Sequence, residues 1–109
     1  VKIDRFQHGS VLVLVPHGPI TEDEVSGLRD ALEEASCNPR VVLSLREAPY
    51  LDSKGLETLL DLNDQFAAQG RRLRLAELDD CCQEILYLTN LHDAFERYAT
   101  IDDAVRSLL

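Results

Sequence analysis

The sequence predicts an α/β sandwich within one domain, a mixed and mostly parallel sheet of about five strands carrying about four helices. Three observations lead there. Short apolar runs alternate with segments whose apolar residues recur every three or four positions, giving the order β-β-α-β-α-β-α-β-α. The first two runs are joined by a glycine-containing turn and should pair as a hairpin. Each later strand is reached through a helix, which places those strands parallel with right-handed crossovers. The length of 109 residues suits a single core, ~100–150 residues being the usual domain size.

The hairpin is read as Val1 to Phe6, the turn Gln7-His8-Gly9-Ser10 and the run Val11 to Val15. The second strand is apolar on both faces and belongs inside the sheet. From Thr21 the period changes, because Val25, Leu28, Ala31, Leu32 and Ala35 fall on one helical stripe. Thr21-Glu22-Asp23-Glu24 matches a capping box at its start, and Cys37-Asn38-Pro39 ends it. Arg40 to Leu45 follows as a short buried strand. After Tyr50-Leu51-Asp52-Ser53-Lys54-Gly55 comes a second helix, with Leu56, Leu59, Leu60, Leu62, Phe66 and Ala67 on its inner side. Gly70 fits as its C-cap glycine.

Arg71 to Ala76 alternates with period two, as a half-solvated strand does. A third helix is expected from about Asp79 to Thr89, its acidic start suiting the helix dipole and Asn90 taking the left-handed conformation at its end. Ala94 to Ala99 reads as a weak last strand. Thr100-Ile101-Asp102-Asp103 opens a final helix that buries Ile101, Ala104, Val105 and Leu108.

Eleven Lys and Arg against twenty Asp and Glu give a formal net charge of −9. Phosphate neutralisation needs clustered excess cations, so a general nucleic-acid binder is excluded; Arg71, Arg72 and Arg74 form the one basic cluster. No apolar run reaches the ~20 residues of a membrane span and no signal-peptide layout opens the chain, so a cytoplasmic protein without membrane insertion is expected. Three cysteines, Cys37, Cys81 and Cys82, fit a reducing compartment. On a helix, Cys81 shares a stripe with Ile85 and Leu88 while Cys82 lies toward Leu86, and both read as small apolar fillers. The lack of methionine leaves room for a larger parent chain.

No phosphate-binding glycine loop, metal-ligand set or nucleophile elbow occurs, so neither cofactor nor metal is expected. A Ser53–His92–acid triad can be written, but no oxyanion hole accompanies it, and the chain is read as a non-enzyme. The segment above background is Leu51-Asp52-Ser53-Lys54-Gly55-Leu56. Asp52 and Ser53 stand where N-cap residues belong, and Gly55 reads as a tight-turn residue. Lys54 breaks the local rule, since a cation at the positive end of a helix costs ~0.3–1 kcal/mol if uncompensated. Such inconsistencies tend to mark functional sites.

These pieces together resemble the STAS domain, the fold of bacterial anti-sigma factor antagonists. The resemblance runs through Gly18-Pro19-Ile20-Thr21, Val41 to Leu45, the D-S-x-G-L pattern over Asp52 to Leu56, Gly70, and Leu88-Thr89-Asn90-Leu91. It covers essentially the whole chain as a single domain, 1–109. It implies a STAS-like sandwich that binds an anti-sigma factor of the serine-kinase type and regulates transcription by partner switching. In that family the kinase phosphorylates a Ser or Thr just before the motif glycine, a position held here by Lys54. Ser53 remains as the candidate phosphorylation site, although it matches the serine that is ordinarily not the acceptor. Thr21 and Ser44 stand where relatives often have aspartate. The resemblance therefore implies altered or absent phosphorylation control.

The implied partner surface comprises Thr21, Asp52, Ser53, Lys54, Gly55, Glu57 and Thr58. Glu57 and Asp61 make an acidic stripe that is either an ordinary solvated face or a steering surface for a basic partner. The alternative job is that of a STAS subunit in a larger assembly, such as a lipid-transport ABC complex or a multidomain sensor. A dimer is compatible with the sequence but not predicted by it.

Overall fold

The computed structural model describes residues 2–35 and 37–108. Val1, part of the expected first strand, lies outside the described residues. The elements are β1 (Lys2–His8), β2 (Val11–His17), α1 (Val25–Ala35), β3 (Val41–Ser44), α2 (Ser53–Ala67), β4 (Arg74–Ala76), α3 (Asp80–Leu88), β5 (Glu96–Tyr98) and α4 (Ile101–Ser107). The strands form one sheet in the order β1-β2-β3-β4-β5, with only β1 antiparallel to its neighbour. The expected α/β sandwich, with five strands and four helices, is the observed one.

Side-chain size sorts the two faces of the sheet. Leu14, Val41, Leu43 and Leu75 point to the side covered by α1, α2 and α3, where they meet Leu28, Leu32, Leu59, Leu62, Phe66, Cys82 and Leu86. The alternate residues Val11, Val13, Val15, Val42 and Ala76 are smaller and face α4, through Ala104 and Val105. Period-two alternation makes this division automatic, since successive strand residues point to opposite faces. A thin β-branched and alanine face needs one short helix, whereas the leucine face needs three.

The hairpin is tighter than expected. β1 runs on to His8, which pairs with Val11, so only Gly9 and Ser10 remain in the turn, and Gly9 supplies φ +67°. Gly70 (φ +75°) and Asn90 (φ +59°) take the left-handed conformation after α2 and α3 as expected. The ladder of β4 begins only at Arg74, because the arginines before it are used sideways. Arg71 donates to Asn38 O at 2.7 Å and lies 4.5 Å over the Phe66 ring. Arg72 pairs with Glu96 at 2.7 Å, and Arg74 donates to Ser107 Oγ. The one basic cluster of the sequence is spent on internal contacts.

Asn63 joins three elements from the inner side of α2. Its Oδ1 accepts from Leu73 N at 2.9 Å, and its Nδ2 donates to Ala94 O at 2.8 Å, ahead of β4 and β5 respectively. Asn63→Ala leaves the Leu73 N–H unpaired in a half-buried setting, while Ala94 O keeps its bond from Arg72 at 3.1 Å. It should lower unfolding free energy by about 2 kcal/mol in urea titrations, with an unchanged m-value.

Candidate functional site: the loops at the carboxyl ends of β2 and β3

The chain continues the parallel β2–β3 pairing beyond the strands themselves. Gly18 N donates to Glu47 O (2.9 Å), Ile20 N to Tyr50 O (3.0 Å) and Asp52 N to Ile20 O (3.1 Å), and Ile20 forms an isolated bridge with Leu51. The apolar anchors Ile20, Ala48 and Leu51 are all buried. Two loops that would otherwise move separately are thereby zipped into one edge, directly ahead of α2.

Asp52 closes this edge with both carboxylate oxygens. Oδ1 accepts from Gly55 N at 2.7 Å and caps α2, while Oδ2 accepts from Glu22 N at 2.9 Å, across the gap to the β2–α1 loop. The two backbone N–H groups hold the carboxyl below its ordinary value, Gly55 contributing most and Glu22 next. The expected capping box at Thr21 does not form. Thr21 to Glu24 makes a turn closed by Glu24 N to Thr21 O at 2.8 Å, and α1 starts only at Val25. Glu24 N is bonded to the Thr21 backbone carbonyl, and Asp52 Oδ2 holds the Glu22 N–H within the same turn, so the stretch stays a loop ahead of the helix.

Gly55 has a different role from the tight turn expected of it. It is the third residue of α2 and is buried against the backbone of Ile20. A Cβ there would stand 2.2 Å from Ile20 O and 3.0 Å from Ile20 Cγ2. The helix approaches the β2–α1 loop so closely that no side chain fits between them.

The other site residues divide by exposure. Ser53 and Lys54 are exposed at the first two positions of α2, and Ser53 Oγ makes no hydrogen bond among the described residues. Lys54 Nζ lies 3.8 Å from Glu57, one turn on. Such an (i, i+3) pair is worth about 0.2–0.5 kcal/mol and offsets part of the cost of a cation at this helix end. Glu57 is exposed, but Asp61 is held by Arg29 of α1 at 3.4 Å, so both acids of the stripe have basic partners. Thr58, expected on the partner surface, is instead 2% exposed. Its hydroxyl donates to Lys54 O at 2.9 Å, a back-bond within the helix that leaves nothing for a partner.

In a neighbouring cluster, sequence reasoning singled out Ser44 but not its partners. Ser44, fully buried at the end of β3, donates to Glu77 at 3.2 Å, and Arg46 approaches the same carboxylate oxygen at 3.8 Å. Glu77 has φ +56°, a left-handed conformation that nothing in its residue type announces. Cys82 is a buried filler as expected, with its thiol pushed up to about 12 mainly by burial, whereas Cys81 is exposed. The buried stripe of α3 is therefore Cys82 and Leu86, leaving Leu88 78% exposed. The written triad does not assemble: His92 Nε2 faces Asp93 at 3.5 Å and its ring stacks on Tyr87. Among the described residues no group of His, Cys, Asp or Glu could hold a metal ion, and no helix is long and apolar enough to cross a membrane.

A five-stranded mixed sheet with a capped helix and a close-approach glycine after its third strand defines a class of small α/β domain. The STAS domain family matches residues 2–104, and the chain belongs to it. A STAS-domain containing protein of Pseudomonas aeruginosa (strain UCBPP-PA14) is 36% identical over 69 residues, 62% of this chain and 68% of the relative. Among solved structures, the Thermotoga maritima protein TM1081 superposes with a TM-score of 0.86 at 18% identity, covering 96% of this chain and 92% of that one. An anti-sigma factor antagonist from Mycobacterium paratuberculosis gives 0.84 at 21% identity, covering 97% and 92%. A sulfate transporter family protein from Wolinella succinogenes gives 0.72 at 20% identity, covering 90% and 84%. Bacillus SpoIIAA in its phosphorylated form also gives 0.72, at 14% identity, covering 99% and 100%.

Gly55→Ala drives a methyl group into Ile20 O and should destabilise the fold by about 1–3 kcal/mol in chemical denaturation, the reverse of the stabilisation an alanine ordinarily brings to a helix in place of glycine. Asp52→Asn keeps one acceptor but puts an amide where the second N–H needs an oxygen. A carboxyl whose value is lowered on folding stabilises the protein at pH above its unfolded value and stops doing so as pH falls through the folded one. The stability gap between wild type and Asp52→Asn should therefore be full above about pH 5 and shrink as pH falls below the ordinary 3.8. Thermal melts across pH 3–7 check this.

Proposed function

We propose that this STAS domain is a protein-binding regulator of the antagonist kind, without enzymatic activity, acting in the cytoplasm on an anti-sigma factor of the serine-kinase type. Contact is made through Ser53, Lys54 and Glu57 together with Thr21, on an edge shaped by Asp52 and Gly55. The observation that carries the reading is Lys54, exposed at the second position of α2 in the place where the family pattern has a hydroxyl. A phosphate there would meet the free N–H groups of the helix start, and its added charge and bulk would alter the docking edge. A lysine gives that edge a constant positive charge, so binding is set by partner availability and not by phosphate at position 54.

The wider surface supports a protein partner. The β2–α1 and β3–α2 loops expose Glu22, Asp23, Glu47 and a 45% exposed Tyr50. Aromatic side chains held on a rigid backbone are frequent anchors of protein interfaces. The likeness to a sulfate transporter family protein supports a second reading, in which the domain serves as a module of a larger assembly.

Affinity capture from the source cell lysate, followed by titration with the recovered protein, tests the proposal. Recovery of an anti-sigma factor is expected, whereas recovery of transporter or sensor components favours the second reading. Lys54→Glu should weaken the complex about tenfold, equivalent to ~1.4 kcal/mol. Intact mass after incubation with the partner kinase and ATP should show no added phosphate; phosphate on Ser53 would overturn the absence of a switch.

A further inference from the structure

The two edges of the sheet are unequal. β5 has three residues, whereas β1 has seven, and no strand covers its outer side among the described residues. None of the seven is buried. An open strand of this length is a template for another. We propose that its occupant is a second copy of this chain, whose β1 pairs antiparallel with this one about a twofold axis through Phe6. The proposal stands apart from the docking edge and does not depend on it.

Backbone geometry decides which groups are free. His8 and Val11 close a two-residue turn and so exchange both backbone bonds, and the alternation of an antiparallel ladder turns Phe6, Asp4 and Lys2 toward β2 in the same way. The N–H and C=O groups of Ile3, Arg5 and Gln7 therefore point out of the sheet. Side chains divide by the same parity. Arg5 reaches Glu34 of α1 at 3.3 Å and Ile3 packs with the leucine core, whereas His8 reaches Asp102 of α4 at 3.2 Å. Asp4, which meets His17 at 2.7 Å, and the 37% exposed Phe6 share the α4 side with His8.

Charge selects the register. An axis at Arg5 would set Arg5 against Arg5 and one at Asp4 would set Asp4 against Asp4, and like charges directly opposite are destabilising. An axis at Phe6 covers the half-exposed ring with its own copy and sets Asp4 opposite His8 and Arg5 opposite Gln7, twice each. Arg5 and Gln7 carry the outward backbone groups, so they form the hydrogen-bonded pairs. Phe6, Asp4 and His8 fall in the non-hydrogen-bonded pairs, where side chains come closest. Asp4 Oδ2 is taken by His17, which leaves its other oxygen for the second copy. His8 Nε2 faces Asp102, so a His8 imidazolium donates there and, through Nδ1, to Asp4 of the second copy. The location also suits a chain of net charge −9, since β1 sets Lys2 and Arg5 against one acid, Asp4.

Sedimentation equilibrium of the chain at pH 6, below the ordinary histidine value, tests this, and a monomer–dimer equilibrium with Kd below ~1 mM is expected. Gln7→Pro removes an outward N–H without breaking the ladder to β2, so circular dichroism should show a folded chain while dimerisation weakens more than tenfold. Asp4→Lys, which sets a cation against His8, should weaken it about tenfold. With the exposed Cys37 and Cys81 replaced by serine, Phe6→Cys should give a disulfide-linked dimer on oxidation, whereas Asp4→Cys, facing His8, should not. A monomer at every concentration up to ~1 mM, a dimer unaffected by Gln7→Pro, or equal cross-linking through positions 4 and 6 would overturn the proposal. The first measurement needs only the wild-type chain and so holds even where a variant fails to fold.

Discussion

One carboxylate sets the geometry of the functional edge. Asp52 accepts from Gly55 N and from Glu22 N, and these two bonds do different work. The first starts α2 by satisfying an N–H that the helix leaves unpaired. The second fixes the β2–α1 loop at a set distance from that helix start, and the backbone bonds between Ile20, Tyr50 and Asp52 fix it at the other end. A loop pinned at both ends can press against a helix, and here it presses closely enough that only glycine fits at position 55. The cap, the close approach and the exposed pair Ser53-Lys54 are one structure.

The fold was legible because it rests on periodicity. Leu14 and Val15 point to opposite cores, as alternation requires, and Leu28, Leu32, Leu59 and Leu62 come from stripes that sequence alone defines. Local capping was legible where the partner is near in sequence: Asp79 caps α3 through Cys82 N and Thr100 caps α4 through Asp103 N. It failed at Thr21, whose stretch satisfies every local rule for a capping box. There Glu24 N is bonded to the Thr21 carbonyl, and a residue thirty positions away holds the Glu22 N–H in the same turn, which no local pattern encodes.

The same distinction explains the site. Asp52, Ser53 and Lys54 stood out in the sequence because they form a continuous segment at a helix start. The reason for Gly55 did not, since a tight turn and a close approach both select glycine and only the position of Ile20 decides between them. Thr58 was misplaced for a related reason. It follows the exposed Glu57, yet it lies on the side of α2 facing the core, and a threonine survives there by returning its hydroxyl to Lys54 O. Glu77 carried no signal at all, its left-handed backbone being a consequence of leaving β4 toward α3.

Charge placement shows why the acidity of the chain says little about its function. Glu57, Asp61, Glu96, Glu34 and Asp103 each lie beside a lysine or arginine, and pairs so exposed add roughly 0–1 kcal/mol each. The cations are the scarcer resource, with eleven against twenty acids, so a cation without a strong structural claim on it is informative. Lys54 is held only by a 3.8 Å contact to a neighbour on its own helix. Arg97 has the Tyr87 ring beneath it and makes no ion pair among the described residues. These two residues lie on separate parts of the molecule, one on the loop edge beside β3 and one on the outer strand of the sheet.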